Sequence, residues 1–213
     1  MSRRLTEVPP LVPAYEAPEY LRKKCRDMQA VAPSLGLGFK KARLPAALQQ
    51  RLIGHFRANV EHFRPEGGVD EIRTAAPQTI PALLFTDKAF NARLAEDLRP
   101  LHEEWAGMPL VLSHCYGIRC YQRGTFLYNH VDRLPHYVSS TICVDQALDS
   151  PWPLSIEDEA GRVSQISTEP GEYILYEGVR LAHGRPYPLD GEFYAGIFVH
   201  YHPAGGPAAG ARK

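Results

Sequence analysis

The 213-residue chain holds only four cysteines, and no two of them form a Cys-x-x-Cys pair. Cys25, Cys115, Cys120 and Cys143 are irregularly spaced, which excludes the common zinc-ribbon and dithiol redox patterns and leaves single buried thiols. Charge of one sign is not in excess either. Lys plus Arg and Asp plus Glu both number 24, so the formal net charge is zero. That balance excludes a broadly basic nucleic-acid surface, and no nucleic-acid partner is expected. Long hydrophobic runs are missing, since none approaches the roughly 20 residues that span a bilayer. The basic start Met1-Ser2-Arg3-Arg4 leads into Val8-Pro9-Pro10 rather than an apolar signal core. The expectation is a cytoplasmic protein without membrane association. Internal repeats and low-complexity segments are also lacking.

Hydrophobic residues make up 44% of the chain, enough for one ordinary core. Residues 1–34 read as an N-terminal arm, residues 35–203 as one domain, and residues 204–213 as a flexible tail. Within the domain, residues 35–108 are helical support. Leu44, Leu48, Leu52, Phe56 and Val60, extended by Phe63, predict a helix over 44–63 with one apolar face. Asp87 as N-cap and the stripe Phe90, Leu94, Leu98, Leu101 and Trp105 predict a second helix over 87–106, kinked or broken at Pro100.

From about residue 110 the pattern changes to short β-rich runs: 111–121, 136–145, 153–157, 162–168, 172–177 and 193–201. Turn residues such as Gly124, Pro170-Gly171 and Asp190-Gly191 separate them. Many short strands at this spacing predict an antiparallel sandwich or barrel, buttressed by the helices on one face.

The segment Tyr121-Gln122-Arg123-Gly124-Thr125-Phe126-Leu127-Tyr128-Asn129-His130-Val131-Asp132 carries the chemistry. Side chains two apart on an extended strand point to the same side, so His130 and Asp132 can converge on one point with Val131 turned away. His183 follows the run Gly171–Glu177 and is the best third member. Two histidines and a carboxylate form one face of an octahedral iron(II) and leave three positions open. His55, His62 and His102 lie on helices, and His136, His200 and His202 lack a carboxylate two residues away.

Residues 115–203 resemble the 2-oxoglutarate/iron(II) dioxygenase superfamily, in its prolyl-4-hydroxylase-like branch. The resemblance rests on Tyr121-x-x-Gly124, His130-x-Asp132, the strand Ser139–Val144, Pro170-Gly171, Tyr176-Glu177 through His183-Gly184-Arg185-Pro186, and Tyr194–Tyr201. It implies a double-stranded β-helix, or jelly-roll, with Fe(II) held by His130, Asp132 and His183. It also implies 2-oxoglutarate as cosubstrate, O2 as oxidant, and hydroxylation of a C–H bond in a small-molecule or peptide substrate of prolyl, amino-acid or natural-product type.

One family feature is missing. The branch places a Lys or Arg nine or ten residues after the distal histidine, where this chain has Glu192 and Phe193. A dicarboxylate still needs a cation, best a forked guanidinium. Arg185, Arg119 (which would share the inward side with Tyr121) and Arg180 are the candidates. One of Tyr173 and Tyr176 should face the cosubstrate, depending on register. Tyr128, Asn129, Arg133 and Trp152 are candidates for the substrate rim. The competing readings are a metal-dependent cupin of another reaction class and a catalytically silent jelly-roll binding module.

Overall fold

The structure is a computed structural model that describes residues 15–75 and 82–206. Among the described residues, twelve strands in two antiparallel sheets form a jelly-roll, with three α-helices packed outside it. The seven-stranded sheet has the order β1 (Phe39–Arg43), β10 (Glu172–Glu177), β7 (Val138–Leu148), β12 (Gly191–Pro203), β5 (Leu110–Gln122), β4 (Ala82–Phe85) and β2 (Arg64–Pro65). The five-stranded sheet has the order β3 (Ile72–Thr74), β6 (Thr125–His130), β11 (His183–Arg185), β8 (Leu154–Glu157) and β9 (Val163–Ile166). Each expected β-run in 111–201 corresponds to a strand. The short strands β1 to β4 were not anticipated, because two to five residues give too little alternation to read.

The helices α2 (Ala46–Ala58) and α3 (Lys88–Ala106) cover the outer face of the larger sheet. Leu48, Leu52 and Phe56 join Phe90, Leu94 and Leu98 against Ile118, Ile142, Val144, Ile197 and Val199. Val60 is a correction to the expected stripe. Asn59 ends α2 by donating Nδ2–H to the His55 carbonyl at 2.8 Å, and Val60, in the 3₁₀ turn Val60–His62, is 52% exposed. Asp87 caps α3 as expected, accepting the Phe90 N–H at 3.0 Å. Pro100 does not break the helix. It lies on the exposed face, so the carbonyl one turn back can bond to water instead.

The expected arm over 1–34 also needs correction. Residues 19–31 form α1 (Glu19–Val31), which fully buries only Leu21 and so carries no readable apolar stripe. Gln29 Nε2–H donates to the Arg180 carbonyl at 2.7 Å, and Arg180 returns bonds to the Gln29 and Ala32 carbonyls. Arg180 also pairs with Glu159, so this arginine fastens α1. Residues 1–14 of the arm and 207–213 of the tail lie outside the described residues. The four thiols are unpaired, as the sequence suggests, although Cys25 and Cys115 are only half-buried. No helix among the described residues is long and apolar enough to cross a membrane.

Candidate metal centre and its cavity

The two candidate histidines face each other across the smaller sheet. His130 ends β6, His183 begins β11, and the two are direct antiparallel partners in the ladder. Their ring centroids lie 4.7 Å apart. Asp132 is not on the strand, as the alternation argument assumed, but two residues past its end. Its backbone N–H donates to the Gly178 carbonyl at 2.8 Å, which turns the carboxylate back toward the histidines. The approach is so close that a Cβ on Gly178 would lie 2.1 Å from Asp132 Oδ2; only glycine fits there. Gly184 is equally confined, with the Asn129 side chain and the Leu127 and Tyr128 carbonyls each 2.7 Å from where its Cβ would be.

One ligand atom from each of His130, Asp132 and His183 falls within 4.8 Å of the other two. The tautomers follow from the hydrogen bonds. His130 Nδ1–H donates to the Tyr128 carbonyl and His183 Nδ1–H to the Leu181 carbonyl, each at 2.8 Å. Both Nε2 lone pairs are therefore free, and His183 Nε2 lies 3.8 Å from Asp132 Oδ1. The other carboxylate oxygen accepts the Ser139 hydroxyl at 3.0 Å. With its one proton so used, Ser139 Oγ accepts from His200 Nδ1 at 2.8 Å.

Burial, reinforced by the neighbouring His183, pushes the His130 imidazole down to about 4, and burial takes His183 to about 4 as well. Both are neutral at physiological pH, the form that ligates. Burial also raises the Asp132 carboxyl to about 6. An anionic carboxylate left in such a place is stabilised by a nearby cation.

The three residues open onto a cavity of about 360 Å³. Arg185, two residues after His183 on β11, lines it and is 2% exposed. Its guanidinium lies between the Trp152 and Tyr194 rings, 4.8 and 4.2 Å from their centroids. It donates to the Trp152 carbonyl and to the Tyr194 hydroxyl, the latter at 2.8 Å, and meets no carboxylate among the described residues. Arg119 lines the same cavity but is bound by both nitrogens to Glu66, at 2.5 and 2.7 Å, with Tyr121 Oη at 3.4 Å. Register decides between the two tyrosines. Tyr176 lines the cavity with its ring 4.4 Å from that of His183, whereas Tyr173 packs in the helix-covered core.

The rim candidates separate. Arg133 lines the cavity. Tyr128 turns its ring against Phe126, outside the cavity, and Asn129 faces Gly184. Trp152 is a core residue, packed edge-on to Tyr121 and donating to the Tyr187 carbonyl at 2.7 Å. Sequence reasoning missed Glu71, half-buried on the cavity wall and paired with Lys24 of α1 at 3.0 Å. Neither residue carries a local signal. His136 and His200, weak metal candidates by sequence, line the cavity without joining the three-residue cluster.

No protein-family profile and no curated protein matches the sequence. Solved structures do match in fold. A prolyl-4-hydroxylase from Pseudomonas putida aligns with a TM-score of 0.55 at 17% identity, covering 86% of this chain and 98% of that one. The fold is that of 2-oxoglutarate/iron(II) oxygenase structures. An oxidoreductase of the 2-oxoglutarate–Fe(II) oxygenase family from Burkholderia pseudomallei aligns at 0.58 and 12% identity, covering 92% and 96%. HygX from Streptomyces hygroscopicus, solved with nickel, 2-oxoglutarate and hygromycin B bound, aligns at 0.55 and 14% identity, covering 86% and 87%.

Proposed function

We propose that the chain is an Fe(II)- and 2-oxoglutarate-dependent oxygenase that hydroxylates a C–H bond of a prolyl, amino-acid-type or natural-product substrate. The observation that carries this reading is a pair of imidazoles whose Nδ1–H groups are committed to carbonyls, with one ligand atom from each of His130, Asp132 and His183 within 4.8 Å of the other two. Two nitrogens and one oxygen suit ferrous iron with open positions, whereas a structural zinc site would be closed by four ligands. Three- and four-histidine cupin sites have no counterpart here, because no other histidine among the described residues joins the cluster.

His130, Asp132 and His183 would hold the iron, with Ser139 fixing the Asp132 carboxylate and the two carbonyls fixing the imidazoles. When bound, iron and 2-oxoglutarate activate O2 by oxidative decarboxylation to succinate and carbon dioxide, and so supply the power to oxidise a C–H bond. Arg185 would receive the far carboxylate of the cosubstrate. It is a buried cation without a counter-ion, and such a charge is costly unless an anion accompanies it. Tyr176 adds a donor on the same wall, because burial and the Asp132 charge hold its phenol well above its ordinary range and keep it protonated. Arg119 is already neutralised by Glu66, so it shapes the cavity without binding the cosubstrate.

The test is spectroscopic. Anaerobic protein with Fe(II) and 2-oxoglutarate should develop the weak visible charge-transfer band of the chelate. His130→Ala and Asp132→Ala should lose both the band and succinate formation while staying folded by circular dichroism. Normal turnover in either variant refutes the assignment. Metal binding without the band would favour a cupin of another reaction class, and no metal binding a silent jelly-roll.

A further inference from the structure

The turn that leaves Asp132 brings two further polar groups to the cavity. His136 N–H donates to the Arg133 carbonyl at 3.0 Å, closing a turn whose first and last side chains, Arg133 and His136, both line the cavity wall. His136 is 4% exposed, yet neither of its ring nitrogens has a hydrogen-bond partner among the described residues. Its ring is stacked on His200, centroids 4.4 Å apart and planes 21° from parallel, which fixes its orientation. Native proteins rarely leave a buried imidazole with both nitrogens unsatisfied, since each then keeps its desolvation penalty uncompensated. Arg133 is exposed at the mouth, and its side chain makes no hydrogen bond or ion pair among the described residues. Burial and the adjacent Arg133 charge hold His136 down to about 4, so it is neutral and carries one N–H donor. A forked cation and an idle N–H donor thus share one turn beside the proposed metal.

We infer that Arg133 and His136 form the carboxylate-binding end of the primary-substrate subsite, so that the substrate is a small carboxylic acid of free amino-acid size. The inference rests on the oxygenase reading. A guanidinium and an imidazole N–H lining the same cavity wall from one turn match a carboxylate, each bond being charge-assisted. This is not the cosubstrate's end of the cavity, because Arg185 on β11 supplies the counter-charge there. The size follows from the volume. The part of the substrate that enters must share about 360 Å³ with the cosubstrate, which suits a small acid.

The experiment uses protein loaded with nickel(II) and 2-oxoglutarate, which does not turn over. Free amino acids, proline among them, and simple monocarboxylic acids are each titrated against their own carboxamides, with thermal unfolding as the readout. At least one acid should bind about tenfold or more tightly than its amide, the worth of one charge-assisted hydrogen bond. Arg133→Gln and His136→Phe should each bring acid and amide to within about threefold, while affinity for 2-oxoglutarate changes less than about twofold. Arg133 is exposed, so its variant keeps the test valid even if His136→Phe misfolds. The inference is overturned if no acid outbinds its amide, or if Arg133→Gln keeps the preference. It is also overturned if the preference and 2-oxoglutarate binding are lost together, which would make the pair part of the cosubstrate site. Failure of 2-oxoglutarate to give any nickel-dependent shift would instead remove the oxygenase reading, and this inference with it.

Discussion

Arg119 and Arg185 reach one cavity from different sheets, and their surroundings are electrically opposite. On the seven-stranded side, Arg119 of β5 is gripped by both oxygens of Glu66, and the pair is nearly enclosed. On the five-stranded side, Arg185 of β11 is just as deep, but its donors end on a carbonyl and a phenol, between two aromatic rings. Lining the same cavity does not separate them. Charge balance does: among the described residues Arg119 has a carboxylate partner and Arg185 has none. The comparison teaches that an anion site is found by asking which buried cation lacks its counter-ion.

Three variants break or sharpen that contrast. Arg119→Met should act on the fold, because it strands Glu66, and breaking a buried pair by removing one partner costs about 3 kcal/mol or more. Urea unfolding should register the loss, and the double replacement Arg119→Met with Glu66→Leu should recover most of it. A large rise in the 2-oxoglutarate requirement with little change in stability would reverse the two roles. Arg185→Gln should act on binding instead. Losing a buried charge partner costs about 2 kcal/mol or more, so affinity for 2-oxoglutarate should fall about thirtyfold or further. Titration of the chelate band measures this, and an unchanged affinity would move the anchor away from β11. The smallest effect belongs to Tyr194→Phe, which removes one hydrogen bond steadying the guanidinium. A net cost near 1 kcal/mol predicts roughly fivefold weaker cosubstrate binding in the same titration.

What the sequence revealed follows the range of the interactions. The strands β5, β7, β8, β9, β10 and β12 were legible because alternation and turn residues are local. His130 and Asp132 were legible as a pair for a reason only half correct, since Asp132 has left the strand and is turned by its bond to Gly178. Arg185 was reachable because a residue two past His183 on a strand shares its side. The expected break at Pro100 did not occur, because exposure of that helix face cannot be seen from one proline. Helix α1 was hidden because it buries a single leucine. The choice among three arginines needed partners from elsewhere in the chain: Glu66 for Arg119, and Glu159 with two α1 carbonyls for Arg180. Trp152 carried a loop signature between two prolines, yet its indole N–H is spent on Tyr187 inside the core.

Glu177, the last residue of β10, is buried with no basic partner among the described residues, and its carboxylate is instead collared by backbone. Leu35 and Leu37 N–H reach it at 2.7 and 2.6 Å and Gly38 N–H at 3.0 Å. The same residue passes the chain directly into Gly178, whose missing side chain makes room for Asp132. The loop behind α1 is thereby a keystone for the turn that faces Asp132. A version of this protein shortened to begin at β1 would leave that carboxylate without its collar next to the glycine, so the N-terminal loop belongs to the smallest unit that can be engineered as a working scaffold.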